Sequence, residues 1–314
     1  MGSSPALDFT KLKTYPLTSR RSKVSHGALA KVGKKGDSFR QFYDSLPEIL
    51  AAKDLRAVVR AIVQAHRQHK PVLWMFGAHV IKVGLSPLLI QLIRRRVITA
   101  IAMNGAGAIH DFELAYMGST SEDVAAALAD GSFGMAEETH RHLNQAIREG
   151  AKRGEGLGQA VGTMIVKNKL PFRRISLLAT CRELDVPATV HVALGTDIIH
   201  QQSSADGAAI GQTSLADFRR LVGVVSELGG GGVVGNIGSA VILPEVFLKA
   251  VSIARNLGHQ VKNFTSFDCD MIRHYRPTEN VLKRPTLMGG SWMALTGHHE
   301  LMIPLLARAI LEEL

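Results

Sequence analysis

The stretch HVALGTDIIHQ, residues 191–201, brings His191, Asp197 and His200 together beyond an apolar run. Asp197 can pair with a cationic amine or orient a histidine. His200 is a candidate to move protons near neutral pH. His191 lies inside an apolar run and reads equally well as a hydrogen-bonded core histidine. A second group is NGAGAIHD, residues 104–111, which begins at Asn104. Gly105 and Gly107 would let a ligand approach the backbone, and a helix starting there would offer free N–H groups to an anion. The dinucleotide fingerprint GxGxxG is broken at its third glycine by His110, itself a proton-transfer candidate. A third group, GNIG at 235–238, offers Asn236 and Gly238 to a ligand and lacks the GK[ST] of a phosphate loop. Asp268 and Asp270 form a fourth.

These groups sit at the ends of apolar runs, and that placement sets the architecture. The runs 71–76, 97–103, 187–194, 232–235 and 260–267 read as strands. Helical apolar spacing covers 46–69, 214–228, 244–257 and 300–314. Ser86-Pro87 opens another helix through residue 96, because proline is tolerated in a first turn. Shorter helical segments fall at 111–115 and at 121–129, with Ser121 as the N-cap. Two or three more lie within 134–185. Strands alternating with helices imply a doubly wound, mostly parallel sheet. Ligands bind such sheets outside the carboxyl ends of the strands, so five strands ending in polar residues predict one shared pocket.

With 314 residues, 46% of them hydrophobic, the chain can bury a substantial core. The net charge of +10 is concentrated at the N-terminus. Before residue 41, nine basic side chains oppose only Asp8 and Asp37, which accounts for +7 of it. We therefore divide the chain into a basic arm, 1–45, and one α/β domain, 46–314. The arm has few aromatics for base stacking and no RRM, KH or zinc-finger signature, which argues against a nucleic-acid partner. It reads as a solvated arm or one that packs on a neighbouring subunit. No apolar run reaches the roughly 18–20 residues needed to span a bilayer. The MGSSPA start has Ala6 where myristoylation requires Ser or Thr, and no secretory h-region follows. Cys181 and Cys269 lie in apolar contexts and read as buried reduced thiols, which fits a cytoplasmic protein.

Other chemistries find less support. His79, His110, Asp111, Glu113, His191, Asp197 and His200 could meet around a divalent ion, which would make the chain a metal-dependent hydrolase or lyase. No HExxH or comparable close-spaced pair accompanies them, so no metal site is assigned. No GxSxG elbow points to a serine hydrolase, and neither cysteine has an activating context.

The order of these features resembles deoxyhypusine synthase and its bacterial relatives from about residue 46 to the end. MNGAGAIHDFELAYMG lies where that family has a glycine turn followed by acidic residues. ELGGGGVV resembles its glycine-rich strand entry, YRPTE at 275–279 its Arg-Pro-Asp-Glu segment, and Pro304-Leu305-Leu306 its C-terminal helix. The resemblance implies a Rossmann-like NAD-binding fold and a homotetramer built as a dimer of dimers, with one subunit's N-terminal segment reaching a partner's site. It implies oxidation of spermidine with NAD and passage of an aminobutyl group through an enzyme lysine to another amine. Asp197 and Glu279 match acidic residues that hold the amine, and Asp268 matches an aspartate associated with NAD. Asn104, Gly105, Gly107, Asn236 and Gly238, with Asp268, are the residues expected to contact the cofactor. Pro285 stands where the imine-forming lysine is expected, and proline has no amine to form that bond. Lys283, two residues away, is the lysine candidate that remains. His110 and His298 also replace acidic residues. The expectation is therefore an enzyme acting on a polyamine or related small amine with altered chemistry, or a binding protein that kept the fold.

Overall fold

Apolar runs ending in polar residues do form strands, and helices with one apolar stripe cover them. The computed structural model describes residues 5–314. In chain order the elements are α1 (Phe39–Ser45), α2 (Leu50–Arg67), β1 (Val72–Phe76), α3 (His79–Lys82), α4 (Ser86–Arg94), β2 (Ala100–Asn104), α5 (Gly105–Met117), α6 (Val124–Asp130) and α7 (Glu137–Lys152). There follow α8 (Leu157–Lys167), α9 (Leu177–Glu183), β3 (Ala188–His191), α10 (Gly207–Ser226), β4 (Val233–Ile237), α11 (Ile242–Asn256) and β5 (Thr265–Asp270). A π-wound turn (Pro277–Lys283) leads into α12 (Arg284–Thr286), then β6 (Ser291–Thr296) and α13 (His299–Glu313).

All six strands pair in parallel, in the order β3-β2-β1-β4-β5-β6. This is the order of a Rossmann-like doubly wound sheet, with its topological switch point between β1 and β4. Side chains alternate between the two faces of each strand. Val72, Trp74 and Phe76 pack with α2, α4 and α13, whereas Leu73 and Met75 pack with α10 and α11. Both faces are buried, which is why the strands read as unbroken apolar runs.

Several expected boundaries move. The arm contains α1, started by a Ser38–Gln41 capping box, with Tyr43 buried beneath it. Buried Arg56 donates to the carbonyls of Tyr43, Leu46 and Pro47, fixing the break between α1 and α2 that the 46–69 reading ran through. Asp123, not Ser121, caps α6; Ser121 adopts φ 71° in the loop before it. Strands β4 and β5 extend to Ile237 and Asp270, so Asn236, Asp268 and Asp270 are strand residues and do not lie past the ends. The strand β6 was not expected: SWMALT is an edge run without β-branched aliphatic residues. Before α1 the arm shows only single 3₁₀ turns and exposes Leu7, Phe9, Leu12, Tyr15 and Leu17. Residues 1–4, where the MGSSPA reading begins, lie outside the described residues.

Candidate functional site

The polar residues gather along the carboxyl edge of the sheet, as expected, but in two neighbouring groups. The first lines a cavity of about 600 Å³ between α5, the 118–123 loop, the start of α7 and the loop after β3. Ile109, Phe112, Tyr116, Met117, Val124, Phe133 and Ile198 form its apolar wall. Its charged residues are Glu113, Glu122, Glu138 and Asp197 against Lys82, with His110 beside them. Four carboxylates facing one lysine run against the +10 of the whole chain.

His110 and Glu113 lie three residues apart, on one face of α5. After α5 the chain reverses at Gly118, whose φ of +79° is the left-handed cap that ends the helix. That reversal lays Thr120 over the pair. Thr120 Oγ1 is 2.6 Å from His110 Nδ1 and donates to Glu113 Oε2 at 2.5 Å. Thr139 Oγ1, from α7, donates to Glu113 Oε1 at 3.0 Å. Burial alone would raise the Glu113 pKa, but the contacts from His110, Thr120 and Thr139 outweigh it and hold the carboxyl below its ordinary range.

Asp197 folds back onto the start of α5. A Cβ at Gly105 would lie 1.9 Å from Asp197 Oδ2, so the glycine makes room for a carboxylate of the same chain. Burial pushes Asp197 up to about 6, with the nearby Ala106 N–H opposing. His200 stands behind it and does not line the cavity. Its Nδ1 accepts from the N–H groups of Gly195 and Asp197, and its Nε2 lies 3.9 Å from Asp197 Oδ2. Both of those last atoms are buried without a hydrogen-bond partner. Burial also lowers the His200 pKa.

The NGAG turn read as an anion-binding start to a helix is therefore already filled. Asn104 caps α5 through the Gly107 N–H at 3.0 Å, Gly107 packs on Met103, and Asp197 occupies the space at Gly105. Two other helix starts hold carboxylates in the same way. Asp111 accepts from Ser176 Oγ, Leu177 N and Leu178 N at the start of α9, and burial pushes it to about 6. Asp217 accepts from Gly158 N and Val190 N, tying α8 to β3, and burial pushes it to about 7.

The second group surrounds the switch point. Asn236 Nδ2 donates to Asp268 Oδ1 at 2.7 Å and to the Ser239 carbonyl at 3.0 Å. Burial raises Asp268 to about 6, with the Asn236 contact opposing. The Gly77 N–H donates to the Ile237 carbonyl, and a Cβ at Gly77 would lie 2.4 Å from the Gly238 oxygen. Gly238 packs on the His299 ring, which faces His79 at 5.5 Å between centroids. His299 Nε2 sits 3.3 Å from the Cys269 carbonyl and 3.7 Å from Asp270 Oδ1. Asn236 Oδ1 and His299 Nδ1 are buried without partners, while Ser239 Oγ accepts from the Leu243 N–H at the start of α11. The two groups are joined by α3, where His79 and Lys82 stand three residues apart.

The remaining candidates lie elsewhere. Lys283 Nζ pairs with Glu279 Oε1 at 2.8 Å along the helical segment after β5, and neither lines the cavity. That i,i+4 pairing satisfies Glu279 within its own helix. Pro285 is buried in α12, where its carbonyl accepts from Arg255. His191 is a core histidine against Thr189, driven down to about 4 by burial. Both cysteines are buried and free, and burial pushes Cys269 up to about 12. Among the described residues, no three His, Cys, Asp or Glu side chains converge as metal ligands, and no helix is long and apolar enough to cross a membrane. Sequence reasoning missed Lys82, Thr120 and the placement of His299. Only the His110–Glu113 spacing carried a local signal.

The fold and site define a Rossmann-like α/β protein, and known structures agree on the fold. No family model and no curated protein matches the sequence. A conserved LOR/SDH protein from Methanococcus maripaludis S2 is similar over 85% of this chain and 72% of its own, at 14% identity and a TM-score of 0.53. The ternary complex of AgrE with ornithine and NAD+ is similar over 84% of this chain, at 13% identity and a TM-score of 0.53. This chain spans about a third (34%) of the AgrE chain. A deoxyhypusine synthase from Entamoeba histolytica covers 88% of this chain, at 11% identity and a TM-score of 0.49.

Proposed function

We propose that this chain is an NAD-binding enzyme acting on a small amine-bearing substrate held in the α5–α7 cavity. The observation that carries the reading is the charge of that cavity. An apolar wall beside four carboxylates suits an alkyl chain ending in ammonium, in a chain whose net charge is +10. Asp197 would anchor the ammonium, and His110 would take up protons because it opens on the cavity, while His200 holds Asp197 from behind. The polyamine substrate and aminoalkyl transfer suggested by the resemblance to deoxyhypusine synthase fit this cavity. Lys283 would have no part in it.

NAD would lie at the switch point, where doubly wound sheets bind dinucleotides. The orphaned Asn236 Oδ1 and His299 Nδ1 and the Gly77–Gly238 contact fit such a group. Asn236, Gly238 and Asp268 would hold it, and Asn104, Gly105 and Gly107 would shape α5 alongside. NAD supplies hydride acceptance; the chain binds and orients the amine and moves its proton. The exposed apolar side chains of the arm support a homo-oligomer in which a partner covers them.

Calorimetric titration with spermidine and 1,4-diaminobutane, with and without NAD, tests the reading. We expect binding that Asp197→Asn weakens at least tenfold. No heat from either amine at millimolar concentration, or binding indifferent to Asp197→Asn, would refute it. Sedimentation of the chain with and without residues 1–27 tests the oligomer, and a monomer in both cases would refute that part.

A further inference from the structure

The contacts around Thr120 assign the proton on His110. Glu113, held below its ordinary pKa, is ionised and can only accept hydrogen bonds. Thr120 therefore donates its single hydroxyl proton to Glu113 Oε2. That leaves Thr120 Oγ1 as an acceptor toward His110 Nδ1, 2.6 Å away, so Nδ1 carries the hydrogen. The opposite tautomer would set two lone pairs against each other at that distance. In the neutral ring, Nε2 then bears the lone pair. Nε2 makes no hydrogen bond with the described residues and is not among the buried unpartnered atoms, and the ring lines the cavity.

We propose that Thr120 and Glu113 lock His110 in the Nδ1-protonated form, so that its Nε2 removes the ammonium proton of an amine bound in the cavity. The proposal rests on the amine reading of the cavity. The N–H bond of the ammonium breaks, an N–H bond forms at Nε2, and the electron pair stays on the amine nitrogen. The imidazolium keeps its Nδ1–H on Thr120, with Glu113 Oε2 3.7 Å from Nδ1 to balance the charge. This prepares the amine for any step that needs its lone pair, since an ammonium neither attacks a carbon nor loses hydride readily. Thr120 acts through His110 and is a positioning residue. Its partners explain why Thr139 is buried at the start of α7: it fills the second oxygen of Glu113 and leaves Thr120 the first.

Long-range proton–nitrogen correlation spectra of histidine-labelled full-length protein read the tautomer directly, with His110→Gln assigning the signal. At about pH 8, where ordinary imidazoles are neutral, wild type should show His110 as the single Nδ1–H form. Thr120→Ser should preserve it. Thr120→Val should shift the tautomer ratio about five- to tenfold, the worth of one hydrogen bond, and Glu113→Gln should loosen it similarly. An Nε2-protonated or mixed His110 in wild type, or a ratio unchanged in Thr120→Val, overturns the proposal, and the wild-type spectrum decides even if a variant fails to fold. Spermidine titrated into the same samples separates the two readings. Binding with an unlocked His110 overturns the lock and leaves the amine site, whereas a locked His110 without binding overturns the base role together with the amine reading.

Discussion

Adding a methyl at Gly105 sets it against the carboxylate that the proposed site depends on. An ideal Cβ there lies 1.9 Å from Asp197 Oδ2 and 2.7 Å from its Cγ, whereas carbon contacts are comfortable only near ~3.5 Å. In Gly105→Ala either the carboxylate retreats from the positive end of α5 or the surrounding backbone gives way. Forcing a methyl into occupied space costs about 1–3 kcal/mol and charge at a helix start contributes about 0.3–1 kcal/mol. Alanine's better helix propensity returns up to about 1 kcal/mol, so the net loss should be about 2 kcal/mol. With Asp197→Ala the obstacle is gone, and adding Gly105→Ala should cost nothing. The double-mutant cycle should therefore show a coupling of about 2 kcal/mol in urea unfolding at neutral pH, and additivity within about 0.5 kcal/mol would refute the packing of Asp197 on Gly105. The same proteins carry a pH signature. Asp197 has a folded pKa of about 6, above its unfolded value, so the folded state holds this proton more tightly. Its contribution is fully present below about pH 4 and is lost as pH rises through about 6, by about 3 kcal/mol for two pKa units. Asp197→Ala should lack that part of the slope, and a matching slope in the variant would refute the assignment.

Three further outcomes follow from named contacts. Lys283→Ala should leave amine binding unchanged and cost under about 1 kcal/mol, because its pairing with Glu279 is a half-exposed helix pair; a tenfold loss of spermidine affinity would return Lys283 to the site. Asp111→Asn should cost about 2–3 kcal/mol, since three donors converge on the carboxylate and an amide would turn its own N–H₂ toward one of them; an unchanged urea midpoint would contradict this. Gly77→Ala should cost about 3 kcal/mol, because its methyl meets the backbone oxygen of Gly238, which cannot move as a side chain can; a variant as stable as wild type would show that the β1 and β4 loops are not packed as described.

The alternation of apolar runs with helically spaced segments is written locally, because a strand or helix repeats its pattern within a few residues. That was enough to establish a parallel doubly wound sheet and to put Asn104, Asn236 and Asp268 near its carboxyl edge. The sixth strand escaped, since Ser291–Thr296 has no β-branched aliphatic residue and does not stand out beside the preceding glycines. The unity of the pocket also failed. Whether two strand ends share a cavity depends on strand order, and strand order is decided by packing across the whole sheet.

The same limit separates the residues that were legible from those that were not. His110 and Glu113 could be paired from the sequence because i and i+3 share a helix face wherever the helix lies. Thr120 could not be added, since only the reversal at Gly118 carries it back over that face. Asp197 was visible as a useful carboxylate, yet its seat on the start of α5 joins residues far apart in the chain. The sequence by itself determined the kinds of element and the chemistry stored at their ends. Tertiary structure alone decided which carboxylates cap helices, which face the cavity, and which nitrogen of His110 bears the proton. Those outcomes depend on desolvation and on single hydrogen bonds, which exist only once distant segments have met.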